Sequence, residues 1–225
     1  MVQPAASRRA VVVANGTLTD LAPFRPLLET ADLVIAADGG AQALLPAGVR
    51  TDILLGDFDS LEPALLLRWQ QQCGTTLSFP ADKDQTDLEI ALHYAVERGA
   101  RQIAILGALG GRLDHELANV LLLAAPFLAE VRAAILDAGT RVVAVRREVT
   151  LRGRPGDLLS LLPVGAAVEG IWVDDVAYSL HGETLGLGPS RGVSNVFRGE
   201  TVTVRVADGI LLAVHTWPDA RTLEW

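Results

Sequence analysis

Leu33-Val34-Ile35-Ala36-Ala37-Asp38-Gly39-Gly40 is a continuous apolar run that ends on an acid and two glycines. A strand exposed on one face alternates apolar with polar residues. An unbroken apolar run suits a strand covered on both faces, as in a parallel sheet. The same pattern recurs through the first 137 residues. Ala10–Val13 leads to Asn15-Gly16, Ile53–Leu55 to Gly56-Asp57, and Leu77–Phe79 to Pro80 and a cluster of acids. Ile103–Leu106 then leads to Gly107, and Ala133–Leu136 to Asp137. Helical patterns lie between several of these runs. The clearest spans Thr86 to Arg98, with Thr86 as cap, Glu89 to complete a capping box and Gly99 as the stop. Leu88, Ala91, Leu92, Ala95 and Val96 form its apolar stripe. A second helix is predicted from near Asp114 to about Pro126, resuming to Glu130. Strands alternating with helices predict a layered α/β domain with a mostly parallel sheet and right-handed crossovers, over residues 1–140.

Beyond Asp137 helical periodicity disappears. Segments 141–147, 148–151, 158–162, 167–173, 200–206 and 210–215 read as short strands. Turns are expected at Arg154-Pro155-Gly156, Pro163-Val164-Gly165 and Asp208-Gly209. Residues 141–225 are therefore predicted to form a small antiparallel β-sandwich or barrel.

Half of the 225 residues are apolar and 20% are charged, a globular balance. A net charge of −8, with no basic stripe, argues against non-specific nucleic-acid binding. The single cysteine, Cys73, forms no internal disulfide and fits a reducing, cytoplasmic setting. Met1–Arg9 has no signal-peptide core. The longest apolar stretch, Ala118–Val131, is interrupted by Asn119, Pro126 and Glu130, so no membrane span is expected.

In an open α/β sheet, ligands bind outside the carboxyl ends of the strands. Asp38, Asp57, Asp59, Asp82, Asp84, Gly107, Gly110 and Gly111 all fall at such ends. Lys83, the only lysine, lies within Asp82-Lys83-Asp84-Gln85-Thr86-Asp87. Acids packed into short loops repel one another unless a cation neutralises them. A divalent metal holding phosphates does this, with a lysine as a point charge beside it. Asp57 and Asp59, two apart in extended chain, can address one cation. Gly-Asp and Asp-Ser are also ordinary turn formers. Thr86 and Asp87 are equally good helix-capping residues, but capping does not require Asp82, Lys83 and Asp84. Gly107-Ala108-Leu109-Gly110-Gly111-Arg112-Leu113-Asp114-His115 is a glycine-rich turn opening a helix, suited to phosphate. Glycines also make plain turns. Neither a Walker A loop nor a dinucleotide fingerprint is present. His115 reads equally as a ligand or a helix-surface residue. His93, His181 and His215 lack metal-ligand spacing, and the acid clusters also permit a hydrolase, including a glycosidase pair.

Together these segments resemble the thiamine pyrophosphokinase family. The resemblance rests on Ala37-Asp38-Gly39-Gly40-Ala41, Gly56-Asp57-Phe58-Asp59-Ser60, Lys83-Asp84-Gln85-Thr86-Asp87, Gly110-Gly111-Arg112-Leu113-Asp114-His115 and the late Gly192-Val193-Ser194-Asn195. It implies an α/β domain, a β-sandwich domain and a homodimer that transfers pyrophosphate from ATP to the hydroxyl of thiamine, releasing AMP. On that basis Asp57, Asp59 and Asp87 hold Mg²⁺, Asp84 orients metal or substrate, and Lys83 and Arg112 offset phosphate charge. Asp38, Gly39, Thr86, Gly110, Gly111, Asp114 and His115 line the nucleotide site. Ser194 and Asn195 meet thiamine across the dimer, with Phe197, Trp172 or Trp217 as the stacking ring. Gly192 and Val193 stand where some relatives carry hydroxyl residues. The alternatives are an Mg²⁺-dependent phosphohydrolase, another small-molecule kinase on the same acidic rim, or a nucleotide-binding module without turnover.

Overall fold

The apolar runs of the first half pair side by side. In the computed structural model they form β1 (Arg8–Val13), β2 (Leu33–Ala37), β3 (Ile53–Gly56), β4 (Thr75–Ser78), β5 (Ala100–Leu106) and β6 (Arg132–Asp137). Residues 8–58, 64, 66, 67, 69, 74–80, 82–219 and 221 are described. The six strands are parallel throughout, in the order β4-β3-β2-β1-β5-β6. Every residue of β2 and β3 is buried, which explains why these runs are unbroken. The chain builds outward from β1 through β2, β3 and β4, then crosses back to lay β5 on the other side of β1. Between β1 and β5 the order reverses, the point of an open α/β sheet outside which ligands commonly bind.

Four helices accompany this sheet among the described residues: α1 (Arg25–Thr30), α2 (Ala41–Leu44), α3 (Asp87–Glu97) and α4 (Leu113–Leu122). Leu88, Ala91, Leu92 and Ala95 of α3 are buried, and the helix packs on β1, β2 and β5. Each buried leucine contributes about 1.5–3 kcal/mol. Thr86 caps α3 by accepting from the Glu89 N–H at 3.2 Å. The expected capping box is half formed, because the Glu89 carboxylate accepts from Gln85 Nε2 at 3.1 Å instead of reaching back. Gly99, at φ 86°, ends the helix as expected. The second helix is shorter than predicted. It stops at Leu122, and only a single 3₁₀ turn, Pro126–Leu128, follows. Its burial runs against residue polarity. Asn119 is its one buried residue, donating to the Ala108 carbonyl at 2.9 Å, while Leu113, Leu117 and Leu121 are exposed.

The described residues fall into two compact units, one within 1–122, 130–137 and 221–225, the other within 123–129 and 138–220. Segment 123–129 goes with the second unit because the Arg146 guanidinium donates to the carbonyls of Leu123 and Ala125, at 3.0 and 2.9 Å. The second unit is antiparallel, with β7 (Thr140–Val145), β8 (Glu148–Arg152), β9 (Leu158–Val173), β10 (Leu180–Leu185), β11 (Asn195–Val196), β12 (Thr201–Arg205) and β13 (Asp208–Thr216). The turn predicted at Pro163-Val164-Gly165 is not a chain reversal. Pro163 and Val164 stay in register with Leu211 and Ile210 of β13, and Gly165, at φ 79°, only bends the strand. β9 thus serves two groups of strands. Its first half pairs with β13 and β11, its second with β10, β12 and the first residue of β13.

Candidate active site

Because the six strands are parallel, the residues that follow β1, β2, β3 and β5 share one rim. Glycines let these segments approach closely. A Cβ on Gly40 would lie 2.1 Å from the Val13 carbonyl oxygen, and one on Gly39 would lie 1.9 Å from Asn15 Oδ1. Gly107, at φ 62°, sits tight against the Ala14 carbonyl, where a Cβ would stand at 2.6 Å. The loop after β1 is stitched to the glycine-rich turn after β5. Gly16 and Thr17 donate their N–H groups to the carbonyls of Gly107 and Leu109, at 2.6 and 2.9 Å, and the Thr17 hydroxyl donates to Gly110. Asn15 and Thr17 thereby belong to the rim's framework. Their only sequence signal is their place directly after an apolar run.

The acids occupy the same rim. Asp38 follows β2, is buried and has φ 45°, and Gly56 at the end of β3 packs against its Cβ. Asp57 comes next after β3. Lys83 Nζ stands 3.0 Å from Asp87 Oδ1 at the first turn of α3 and 3.9 Å from Asp57 Oδ2. All three side chains are largely buried, with 15% of Lys83, 18% of Asp57 and 27% of Asp87 exposed. Two motifs that are separate in the sequence therefore meet around one positive charge. Asp84 is exposed nearby in sequence, and Asp59 lies outside the described residues.

Backbone strain falls on the same motifs. Non-glycine residues with positive φ cost on the order of 1–3 kcal/mol and cluster where structure serves function. Four occur among the described residues: Asp38, Phe58, Asp175 and Ser194. Three lie in segments singled out from the sequence. The fourth, Asp175, accepts from Arg198 N–H at 2.8 Å, beside the Ser194 segment.

The start of α4 is more exposed than the acid cluster. Arg112 grips Asp114 through Nε to Oδ1 at 3.2 Å and Nη2 to Oδ2 at 2.6 Å. That hydrogen bond, with help from the His115 N–H, holds the Asp114 carboxyl below the usual aspartate range. Gly111 N–H donates to Glu116 Oε1 at 2.7 Å. His115 is exposed, on the surface of the helix.

The remaining sequence-predicted residues lie in the second unit. Ser194 is exposed, and its N–H donates to Ser160 Oγ at 3.1 Å. The Asn195 amide is engaged with backbone. Its Oδ1 accepts from Tyr178 N–H at 3.0 Å and its Nδ2 donates to the Tyr178 carbonyl at 2.8 Å. Phe197 is buried and stacks on His215, centroids 4.6 Å apart. Trp217 is likewise buried against His215, whereas Trp172 is 47% exposed.

Asp57 and Asp87 supply hard oxygen donors on either side of a cation, a donor set suited to Mg²⁺. Among the described residues no three carboxylate, imidazole or thiol groups converge on one point that could hold a metal. Asp59, the third acid expected there, is not among them.

This is an α/β protein with an acid- and glycine-lined site at the strand ends, joined in one chain to an antiparallel β unit. Residues 24–135 match the family profile of the thiamin pyrophosphokinase catalytic domain, and residues 144–211 that of the thiamin pyrophosphokinase vitamin B1 binding domain. The chain is 26% identical over 212 residues to thiamine pyrophosphokinase of Bacillus subtilis, covering 91% of this chain and 97% of the relative. It is 27% identical over 226 residues to thiamine pyrophosphokinase 1 of rice, covering 89% and 84%. The crystal structure of thiamin pyrophosphokinase from Geobacillus thermodenitrificans superimposes with a TM-score of 0.80 at 29% identity, over 96% of this chain and all of that one. The chain belongs to the thiamine pyrophosphokinase family.

Proposed function

We propose that this protein transfers pyrophosphate from ATP to the hydroxyl of thiamine, giving thiamine diphosphate and AMP. The observation that carries the reading is Lys83 set between Asp57 and Asp87, which joins two of the family's motifs in one charged site. In the reaction the thiamine oxygen forms a bond to the β-phosphorus, and the bond from that phosphorus to the α-phosphate oxygen breaks. The hydroxyl proton passes to an aspartate of the rim. The protein's contribution is mainly positioning and charge.

Mg²⁺, held by Asp57 and Asp87 with Asp59 as the third acid, would neutralise phosphate charge and align the triphosphate. Lys83 offers a point charge to a phosphate oxygen. Gly110, Gly111, Thr86 and the buried Asp38 shape the nucleotide side, and Arg112 adds positive charge at its mouth. Ser194 and Asn195 serve thiamine, and Trp172 is the exposed ring available to stack on it. An acidic rim also favours a cationic substrate. A homodimer and a cytoplasmic location belong to the same proposal. Leu113, Leu117 and Leu121 form the apolar face that a second copy would cover. Among the described residues no helix is long and apolar enough to cross a membrane. Both halves match a single kinase family, so the phosphohydrolase alternative gains no support.

The test is to incubate the protein with ATP, thiamine and Mg²⁺. AMP and thiamine diphosphate should appear in equal amounts. ADP, or orthophosphate without loss of thiamine, would refute the reading.

A further inference from the structure

Beneath the Ser194–Asn195 segment lies a buried ionisable pair that no sequence motif marks. His215 Nε2 is 2.9 Å from Asp157 Oδ2, and both side chains are 2% exposed. Oδ2 also accepts the Arg154 N–H at 2.8 Å. The imidazole is clamped between rings, with Phe197 stacked on it at 4.6 Å and Trp217 tilted against it at 4.8 Å. Gly153 closes the site. A Cβ there would stand 2.7 Å from Asp157 Oδ2, 2.9 Å from His215 Nε2 and 2.9 Å from Phe197 Cε1.

The backbone of Asp157 reaches the same segment. Its carbonyl accepts the Phe197 N–H at 2.8 Å, and the Phe197 carbonyl accepts the Gly156 N–H at 2.9 Å. From Phe197 the chain runs back through Val196 and Asn195, which pair with Leu158 and Leu159, to Ser194 at φ 61°. On its other edge the segment is held by 175–178. There Ala177 N–H donates to Val196, Arg198 N–H donates to Asp175, and Asn195 grips Tyr178. Gly192 fits so closely that a Cβ would stand 2.3 Å from the Leu161 carbonyl oxygen. Ser194 is thus the exposed, strained crest of a strap whose far end is anchored by Phe197.

We propose that Asp157 and His215 are positioning residues for thiamine binding. They fix the Phe197 ring and backbone, and through them the conformation in which Ser194 is presented. An apolar core would fill the same space, but it would not tie the turn 154–157, the strap and β13 together by directional bonds. The inference rests on the reading of Ser194 and Asn195 as thiamine residues.

The test is steady-state kinetics on the full chain, with thiamine and ATP varied separately. Asp157→Asn and His215→Leu should each raise KM for thiamine about tenfold while KM for ATP changes less than about twofold. His215→Gln, which keeps an N–H donor toward Asp157, should recover most of the loss. A merely structural pair would lower the melting temperature without separating the two KM values, or would affect both equally, and either outcome overturns the proposal. Ser194→Ala is the companion variant. If it leaves KM for thiamine unchanged, the underlying site assignment fails. If it raises that KM while Asp157→Asn does not, only the positioning role fails. Should the pair variants not fold, thiamine titration of the unaltered protein followed by NMR decides. The His215 imidazole signals should move together with the Ser194 and Asn195 amides, and unmoved imidazole signals beside moving amides would contradict the proposal.

Discussion

Lys83 Nζ lies 3.0 Å from Asp87 Oδ1, four residues further along the chain at the start of α3. The same ammonium is 3.9 Å from Asp57, which approaches from the end of a different strand. Removing it leaves two part-buried carboxylates facing each other. Lys83→Met should therefore lower kcat by about 10²-fold, the scale of losing one preorganised charge at a reacting centre. It should also make the protein more dependent on Mg²⁺ for stability. Melting curves with and without Mg²⁺ would show a larger shift in the variant than in the unaltered protein, and an equal shift would argue against a shared cation site.

Asp57→Asn retains the shape of a largely buried side chain but removes its charge. Turnover should fall by at least about 10²-fold and Mg²⁺ stabilisation should vanish, while circular dichroism stays unchanged. Retention of normal turnover would remove Asp57 from the metal site.

The rim glycines separate by role. Gly107 has φ 62° and no room for a Cβ, whereas Gly111 has nothing within 4 Å of that position. Gly107→Ala should destabilise the protein by at least about 1–3 kcal/mol. Gly111→Ala should leave the melting temperature nearly unchanged, so any loss in ATP affinity there reports on the phosphate cradle. Chemical denaturation and ATP titration check the two expectations.

Asp114 titrates below the ordinary aspartate value because Arg112 stabilises its charged form. A folded-state pKa depressed in this way means the pair is complete above the unfolded aspartate value of about 3.9. It is lost only as pH falls through the lower folded value. No step in activity near neutral pH should therefore trace to this pair. NMR titration of the Asp114 carboxyl should give a midpoint below about 3.9, moving up in Arg112→Ala.

The exposed leucines of α4 predict a specific surface. Under the proposed homodimer, Leu117→Glu with Leu121→Glu should weaken self-association roughly 100-fold without unfolding the chain. Sedimentation across a concentration series measures it. An unaltered association constant would place the dimer contact elsewhere.

The strands of the first half were legible because burial on both faces leaves uninterrupted apolar runs. Ile103–Leu106 and Leu33–Ala37 could hardly be read otherwise. Their spatial order was not legible, since crossovers and not local composition decide which strand lies beside β1. The leucines of α4 show a related limit. Spacing marks an apolar stripe but cannot say whether it faces the protein's own core or a partner, and here Asn119 turns inward. In the second unit Pro163 and Gly165 looked like a reversal, yet the ladder to β13 continues past Pro163. In the site, the motifs around Asp38, Asp57, Lys83 and Asp87 could be identified, but not the contact between Lys83 and Asp57. Asp157 and His215, 58 positions apart, gave no local signal at all.

A crystal structure with Mg²⁺ and a non-hydrolysable ATP analogue would decide whether these acids and the lysine form one site. One cation should touch both Asp57 and Asp87, with the phosphate tail beside Lys83 and the Gly110–Gly111 turn. A nucleotide seated away from this rim, or a cation touching neither aspartate, would contradict it.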